Sequence, residues 1–247
     1  MGFPVRMRYT KRGKVRFIGH RDVARAFERA LRITALPLSF TEGFSPHPKI
    51  GFGLALSVGF ESDAEFIDVQ LDHSIPLEAL AAEVSEALPE GIDVTGAVAL
   101  ADRAPALQDA VTAVGWQVTL RSNDSTLPLT HDRVQQWIVA GLSRPELLTT
   151  RRRKGREVVE DVRAEVRSVD VVGAADGYVR LEMECGTQPR SPKPTEVLAA
   201  IAEAIGGLGE ACETRVLRTH QWIERDGARL EPLSADLRPR VPEARAS

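Results

Sequence analysis

Twice along this chain the same succession of periodicities occurs. An alternating run gives way to a helix-spaced run, two further extended runs, a second helix-spaced run and a last strand. Strand side chains repeat every two residues and helix side chains every 3.6, so this succession limits the possible folds sharply. Val5-Arg6-Met7-Arg8-Tyr9 alternates, which turns Val5, Met7 and Tyr9 toward a core and Arg6 and Arg8 outward. Lys11-Arg12-Gly13-Lys14 reads as a turn, and Val15 to Ile18 as a resumed strand. A helix is expected over about 20–34, with Val23, Phe27, Ala30 and Leu31 on one face. Leu36-Pro37 breaks it. Ile50 to Val58 and Phe66 to Leu71 read as paired strands. Leu77, Leu80, Ala81, Val84 and Leu88 form a helix face, and Ile92 to Leu100 a closing strand.

Residues 101–113 are polar and alanine-rich and are expected to link two domains. The order then returns. Trp116 to Leu120 is a strand, and Thr130 caps a helix through about 142. Leu147 to Thr150, Val158 to Val172 and Tyr178 to Met183 are extended. Val197, Leu198, Ile201 and Ile205 mark the second helix, and Thr214 to Ile223 the last strand. The element order is β-α-β-β-α-β, the ferredoxin-like arrangement. We expect an α+β chain of two tandem ferredoxin-like domains over residues 1–100 and 114–224. Residues 225–247, with three prolines and no periodicity, are expected to be an extended or disordered tail.

Between the first helix and the second strand lies Glu42-Gly43-Phe44-Ser45-Pro46-His47-Pro48-Lys49. Ser45 and His47 each precede a proline, which pushes them toward extended geometry, while Pro46 and Pro48 fix their own φ. The result is a stiff loop that holds His47 and Lys49 in set directions. It is either a braced hairpin with a solvent-facing histidine or part of a binding surface.

Charge is unevenly distributed. Residues 1–50 hold eleven Lys/Arg against three Asp/Glu, and residues 51–115 one Arg against twelve Asp/Glu. On the first helix Arg21, Arg25, Arg29 and Arg32 step along the side opposite the core, either a solvated face or a phosphate-facing ridge. Arg151-Arg152-Arg153-Lys154-Gly155-Arg156 is the densest cationic stretch and reads as a turn between extended arms. If these tips and the double-proline loop share one side of the molecule, they form a continuous cationic surface. Glu61, Asp63, Glu65 and Asp68 read as a solvent-exposed acidic run rather than a metal site.

Several classes of chemistry are excluded or left without support. No stretch approaches the roughly 20 apolar residues of a membrane span, and the N-terminus lacks a signal-peptide centre, so a cytoplasmic protein is expected. Two cysteines, Cys185 and Cys212, are too few for a disulfide framework or zinc site and cannot ligate an iron–sulfur cluster. There is no phosphate-binding loop, dinucleotide fingerprint, nucleophile elbow or zinc helix. No metal or other cofactor is expected. Catalytic candidates reduce to His20, His47 and Lys49, which could serve metal-free RNA cleavage by proton transfer. Phe44, Phe52, Tyr178 and Trp222 are possible base-stacking residues.

Arg8-Tyr9-Thr10-Lys11, Arg16-Phe17-Ile18-Gly19-His20-Arg21-Asp22, Phe27-Glu28-Arg29-Ala30-Leu31-Arg32 and Glu42 to Ile50 together resemble the radical-SAM-linked domain family of bacteria. The resemblance is strongest over residues 5–72 and weaker toward Arg153–Arg163. Members of that family are fused to, or encoded beside, radical SAM proteins, in some bacteria near ribosomal-protein genes. It therefore implies a radical SAM protein as partner. The family more often has serine where Gly19 stands, so a hydroxyl-dependent role does not carry over to that position. The CRISPR RNA-processing endonucleases offer a likeness of fold only, which does not fix function.

Three functions are compatible with these residues. The leading one is a non-catalytic RNA-binding or substrate-presenting module of a radical SAM enzyme, with phosphate contacts from Arg21, Arg25, Arg32, Lys49, Arg152, Arg153 and Lys154. The second is a protein–protein adaptor that docks the radical SAM enzyme. The third is a metal-free ribonuclease using His20 and His47.

Overall fold

A computed structural model describes residues 2–122, 128–153, 155–208 and 211–238, with backbone only at 153, 211 and 212. The chain is mixed α+β, with five α-helices among the described residues. It divides into two compact units, Met1–Val111 with Ile223–Ser247, and Thr112–Trp222.

The first unit begins with β1 (Phe3–Lys11), a 3₁₀ turn (Gly13–Phe17) and α1 (His20–Ile33). β2 (Ile50–Phe52), β3 (Glu61–Leu71), α2 (Leu80–Ala87) and β4 (Val94–Ala99) follow. Its strands lie in the order β4-β1-β3-β2, each pair antiparallel. Val5, Met7 and Tyr9 of β1 join Ile67, Val69 and Leu71 of β3 on one face. Onto it α1 lays Val23, Phe27, Ala30 and Leu31, and α2 lays Leu80 and Val84. Each large side chain so buried contributes roughly 1.5–3 kcal/mol. Two expected strands differ. Val15–Ile18 is mostly 3₁₀ turn, and the strand expected to reach Val58 stops at Phe52.

The arginines of β1 do not face solvent as their alternation suggested. Arg6 is fully buried. It donates two hydrogen bonds to the Asp68 carboxylate, at 2.7 and 2.8 Å, and a third to the Pro232 carbonyl at 3.3 Å. Arg8 reaches the Asp63 carbonyl at 3.0 Å and Glu231 at 3.2 Å. Asp68 of β3 is thus the counter-charge of Arg6, and Glu231 of the C-terminal segment that of Arg8. Glu61 and Glu65 are buried, contrary to the exposed run expected.

The second unit starts with β5 (Ala113–Ser122) after the short α3 (Leu107–Ala110) of the first. α4 (His131–Leu142) is capped by Thr130, whose hydroxyl accepts the Arg133 N–H. β6 (Leu148–Arg153) and β7 (Arg156–Asp161) form a separate hairpin, turning at Gly155, whose φ of 81° favours glycine. β8 (Val166–Ala175), β9 (Tyr178–Gly186), α5 (Pro194–Ile205) and β10 (Ala211–Arg225) complete the order. The main sheet runs β10-β5-β9-β8, again antiparallel. A 3₁₀ turn at Arg163–Glu165 splits the extended stretch expected over Val158–Val172. α4 and α5 pack so closely that a Cβ on Gly141 would collide with Ile201.

After residue 222 the chain returns to the first unit, which corrects the expected tail. β11 (Ala228–Leu230) pairs with the end of β10. Pro232 is buried. Leu233 packs on Ala64, Phe66 and Leu107, on the sheet face that carries Arg6. Arg225 binds Asp236 at 2.7 Å, and Arg238 binds Asp102. Short elements and three prolines hid this segment from a periodicity argument. The expected linker likewise holds α3, with Leu107, Ala110 and Val111 buried. Residues 239–247 lie outside the described residues.

Candidate nucleic-acid interface on the first helix

α1 is built from residues that favour helix, with four alanines and leucines among its core and flanks. Gly19 is its N-cap and supplies no side-chain hydrogen bond. Asp22 in the first turn and Arg32 in the last suit the helix dipole. With Val23, Phe27, Ala30 and Leu31 turned inward, Arg21, Arg25, Arg29 and Arg32 fall on the outward side, and all four are exposed. Arg25 has an i,i+3 pair with Asp22 at 3.7 Å between two well-exposed side chains, where solvent screens most of the attraction. Among the described residues Arg21, Arg29 and Arg32 form no ion pair.

Many other arginines are already committed to internal contacts. Arg6 and Arg8 hold the sheet, and Arg12 forms a two-pronged pair with Asp63 that raises its pKa. Arg151 donates to Glu160 at 2.7 and 2.6 Å, and Arg190 joins the same carboxylate at 2.8 Å. Of the three cations at Lys11–Lys14, Lys11 is drawn inward and Arg12 is paired with Asp63, while Arg12 and Lys14 remain exposed. Lys11 is buried, its ammonium donating to the Ile18 carbonyl at 2.9 Å and to that of Arg16 at 3.3 Å.

Burial lowers the Lys11 pKa from its ordinary 10.5, only partly opposed by Glu65. The folded chain thus releases this proton at lower pH than the unfolded chain. Between the two pKa values the unfolded state binds more protons, so stability from this site rises with pH and is lost as pH falls through the folded pKa. The stability of the native chain relative to a Lys11→Met variant should accordingly grow as pH climbs toward 10.5, read by urea unfolding at several alkaline pH values. A constant difference would contradict this.

The double-proline loop closes on itself. Phe40 bridges to Pro48, the His47 N–H donates to the Thr41 hydroxyl at 3.0 Å, and the Thr41 N–H donates to the His47 carbonyl at 2.9 Å. Phe44 stands fully exposed at the tip. At the loop's end the Gln70 N–H donates to the Lys49 carbonyl at 3.0 Å, and Gly51 pairs with Asp68. Parity then decides the faces. Ile50 and Phe52 go to the α1 side, and Lys49 and Gly51 to the Asp68 and Gln70 side. There Lys49 borders a hollow of about 370 Å³ lined also by Gln70 and Asp102. The α1 arginines and Lys49 therefore lie on opposite sides of one sheet, and the common cationic surface expected for them does not form.

His20 is the first residue of α1. Its ring meets Phe52 edge-on at 5.0 Å, and Phe52 in turn meets Phe27 at 5.9 Å. His20 thus packs on an aromatic series. The ring of His47 is exposed, and among the described residues neither imidazole bonds to the other or to a carboxylate. In the second unit Arg152 is exposed on the β6–β7 hairpin opposite Glu157. The Arg153 side chain and Lys154 lie outside the described residues. Burial pushes the Cys185 thiol up to about 12, so it stays protonated at neutral pH and is no nucleophile. Among the described residues no group of three His, Cys, Asp or Glu is placed to hold a metal, and no helix is long and apolar enough to cross a membrane.

What sequence reasoning missed is the acidic neighbour of the basic helix. α2 packs beside α1, and Glu83 and Glu86 are exposed, lining a hollow with Ile33 and Thr34 next to the one that Arg25 and Arg29 line. The signal was present as an acidic pair three residues apart on a helix.

Comparison with known proteins gives a family and no activity. The family described as "Uncharacterized protein conserved in bacteria (DUF2344)" matches residues 5–192. No curated protein matches the chain. Among solved structures, a Cbf5-Nop10-Gar1 complex aligns at 12% identity and a TM-score of 0.47, over 88% of this chain and 48% of that one. An H/ACA RNP bound to a substrate RNA containing 2'-deoxyuridine aligns at 12% and 0.45, over 91% and 48%. The archaeal box H/ACA sRNP Nop10-Cbf5 complex aligns at 10% and 0.45, over 88% and 47%. The chain spans about half the length of these relatives, and scores this low do not establish a shared fold.

Proposed function

The chain belongs to the bacterial family DUF2344, and from its surface chemistry we propose that it is a non-catalytic RNA-binding module, set in the cytoplasm beside a radical SAM enzyme. The observation that carries this is the outward face of α1. Four arginines stand there within one helix, three of them without an ion pair among the described residues. Arginine is suited to phosphate through its planar fork of donors. Arg21, Arg25 and Arg32, with Arg29 in the same row, make the principal contact. Arg152, Arg153 and Lys154 make a second in the other unit. Lys49, on the far side of the sheet, belongs to neither. We read each unit as ferredoxin-like on its element and strand order, and the radical SAM partner rests on the motif resemblance of residues 5–72.

A second reading is the adaptor that docks the radical SAM enzyme. Glu83 and Glu86 favour it, because acid beside the basic helix suits a protein better than a polyanion. The ribonuclease reading has no geometric support, since His20 packs on Phe52.

Titration of the full chain with ribosomal or transfer RNA at several salt concentrations tests the proposal. Each phosphate neutralised on a single strand steepens the log–log salt slope by about 0.7. Binding with a slope of about −2 or steeper is expected. No binding at low salt, or affinity indifferent to salt, overturns it.

A further inference from the structure

We propose that Phe17 is a base-stacking platform, on whose ring an unpaired base of single-stranded RNA lies. This deepens the RNA reading and rests on it. Phe17 closes the 3₁₀ turn Gly13–Phe17 and is 61% exposed. A lone exposed apolar side chain is ordinary. What sets this one apart is how firmly its backbone is held. The buried Lys11 ammonium donates to the Arg16 carbonyl at 3.3 Å and to the Ile18 carbonyl at 2.9 Å, the two residues that flank Phe17. The Gly59 N–H donates to the Arg16 carbonyl as well, at 2.8 Å, and the Ile18 N–H to that of Val15 at 3.1 Å. Val15 and Ile18 pack on the core, so the turn is anchored on its inner side while Phe17 stays outside. An aromatic held this way is in place before a ligand arrives, and little freedom is lost on stacking.

The charges around it choose the ligand. Lys14 and Phe17 are three apart in a 3₁₀ turn, where such side chains eclipse, and both are exposed. Arg21 follows four residues later, no more than about 14 Å away along the chain. Among the described residues neither Lys14 nor Arg21 forms an ion pair. The Arg16 guanidinium lies over one face of the ring, 4.7 Å from its centroid, so the exposure that remains belongs to the other face and the edge. The acids nearby are committed. Asp63 holds Arg12, and the buried Glu61 accepts the Gly13 N–H at 2.8 Å and stands 4.0 Å from Arg16. A flat apolar face among uncommitted cations suits both halves of a nucleotide, the base on the ring and the phosphates on Lys14 and Arg21. A duplex keeps its bases inside and offers the ring nothing, so the strand is single.

Titration of the full chain with a single-stranded RNA of about 12 nucleotides, and with its duplex with the complementary strand, tests the proposal. Phe17→Ala is expected to weaken single-strand binding about five- to 150-fold, the range for one stacked base. The salt slope should stay that of the native chain, because no phosphate contact is lost. Duplex binding should change by less than about twofold, since no base there meets the ring. Phe17→Tyr keeps the ring and should bind the single strand as the native chain does. Phe17→Leu is apolar without a ring and should lose affinity as alanine does. The position is exposed, so circular dichroism should confirm that all three variants fold. Undiminished single-strand binding by the alanine or leucine variant, an equal loss on the duplex, or a flattened salt slope would each overturn the proposal. If the native chain binds with the expected slope and the alanine variant binds equally, stacking fails and the RNA reading stands. If the native chain binds neither RNA, both fail.

Discussion

Replacing Asp68 with alanine is expected to cost the first unit about 3–5 kcal/mol, the range for breaking a buried ion pair by removing one partner. Arg6 has no exposed surface, and two of its hydrogen bonds end on Asp68. Without that carboxylate a guanidinium that cannot deprotonate is left inside the protein. A double change, Arg6→Met with Asp68→Leu, should recover much of the loss, because no charge then remains to be compensated. A chain of two units need not unfold in one step. The loss is therefore best read as hydrogen exchange at β1 and β3 amides, expected to quicken by a hundredfold to several thousandfold, on the order set by that energy. Exchange within a few-fold of the native chain would show that Arg6 finds another partner. Arg6 also donates to the Pro232 carbonyl, so the same variant should loosen residues 225–238.

The second large effect concerns binding. Arg21, Arg25, Arg29 and Arg32 changed together to glutamine should lower RNA affinity by roughly two to three powers of ten at 0.1 M salt and flatten the salt slope by about 2–3. Glutamine keeps good helix propensity and the sites are exposed, so stability should change little. Arg12→Gln and Arg151→Gln are the controls. Their guanidiniums are held by Asp63 and Glu160, and RNA affinity should barely change.

The contrast between committed and uncommitted arginines also explains how far the sequence could be read. Helical spacing located α1 within a residue of its ends, because core and charge follow one period. Alternation told the two faces of β1 apart but could not say that the second is covered. The cover comes from residues more than two hundred positions away, and it turned Arg6 from a surface charge into a buried one. The same limit applies to Lys49. Its loop was legible as stiff, yet which face it reaches depends on the pairing of Ile50 with Val69, a register no local pattern contains. Lys11 stood in a short run of cations read only as a turn, and its ammonium fastens the backbone ahead of α1. The furrow between α1 and α2 was hidden for a different reason. It exists only once two helices, each ordinary alone, are set side by side on one sheet.

The most direct test of the central claim is ultraviolet cross-linking of the full chain to transfer RNA at low salt, with the attached peptides identified by mass spectrometry. The account predicts cross-links concentrated on the peptides that span residues 20–33, and their loss in the four-glutamine variant. Cross-links confined to other segments, or undiminished in that variant, would contradict it.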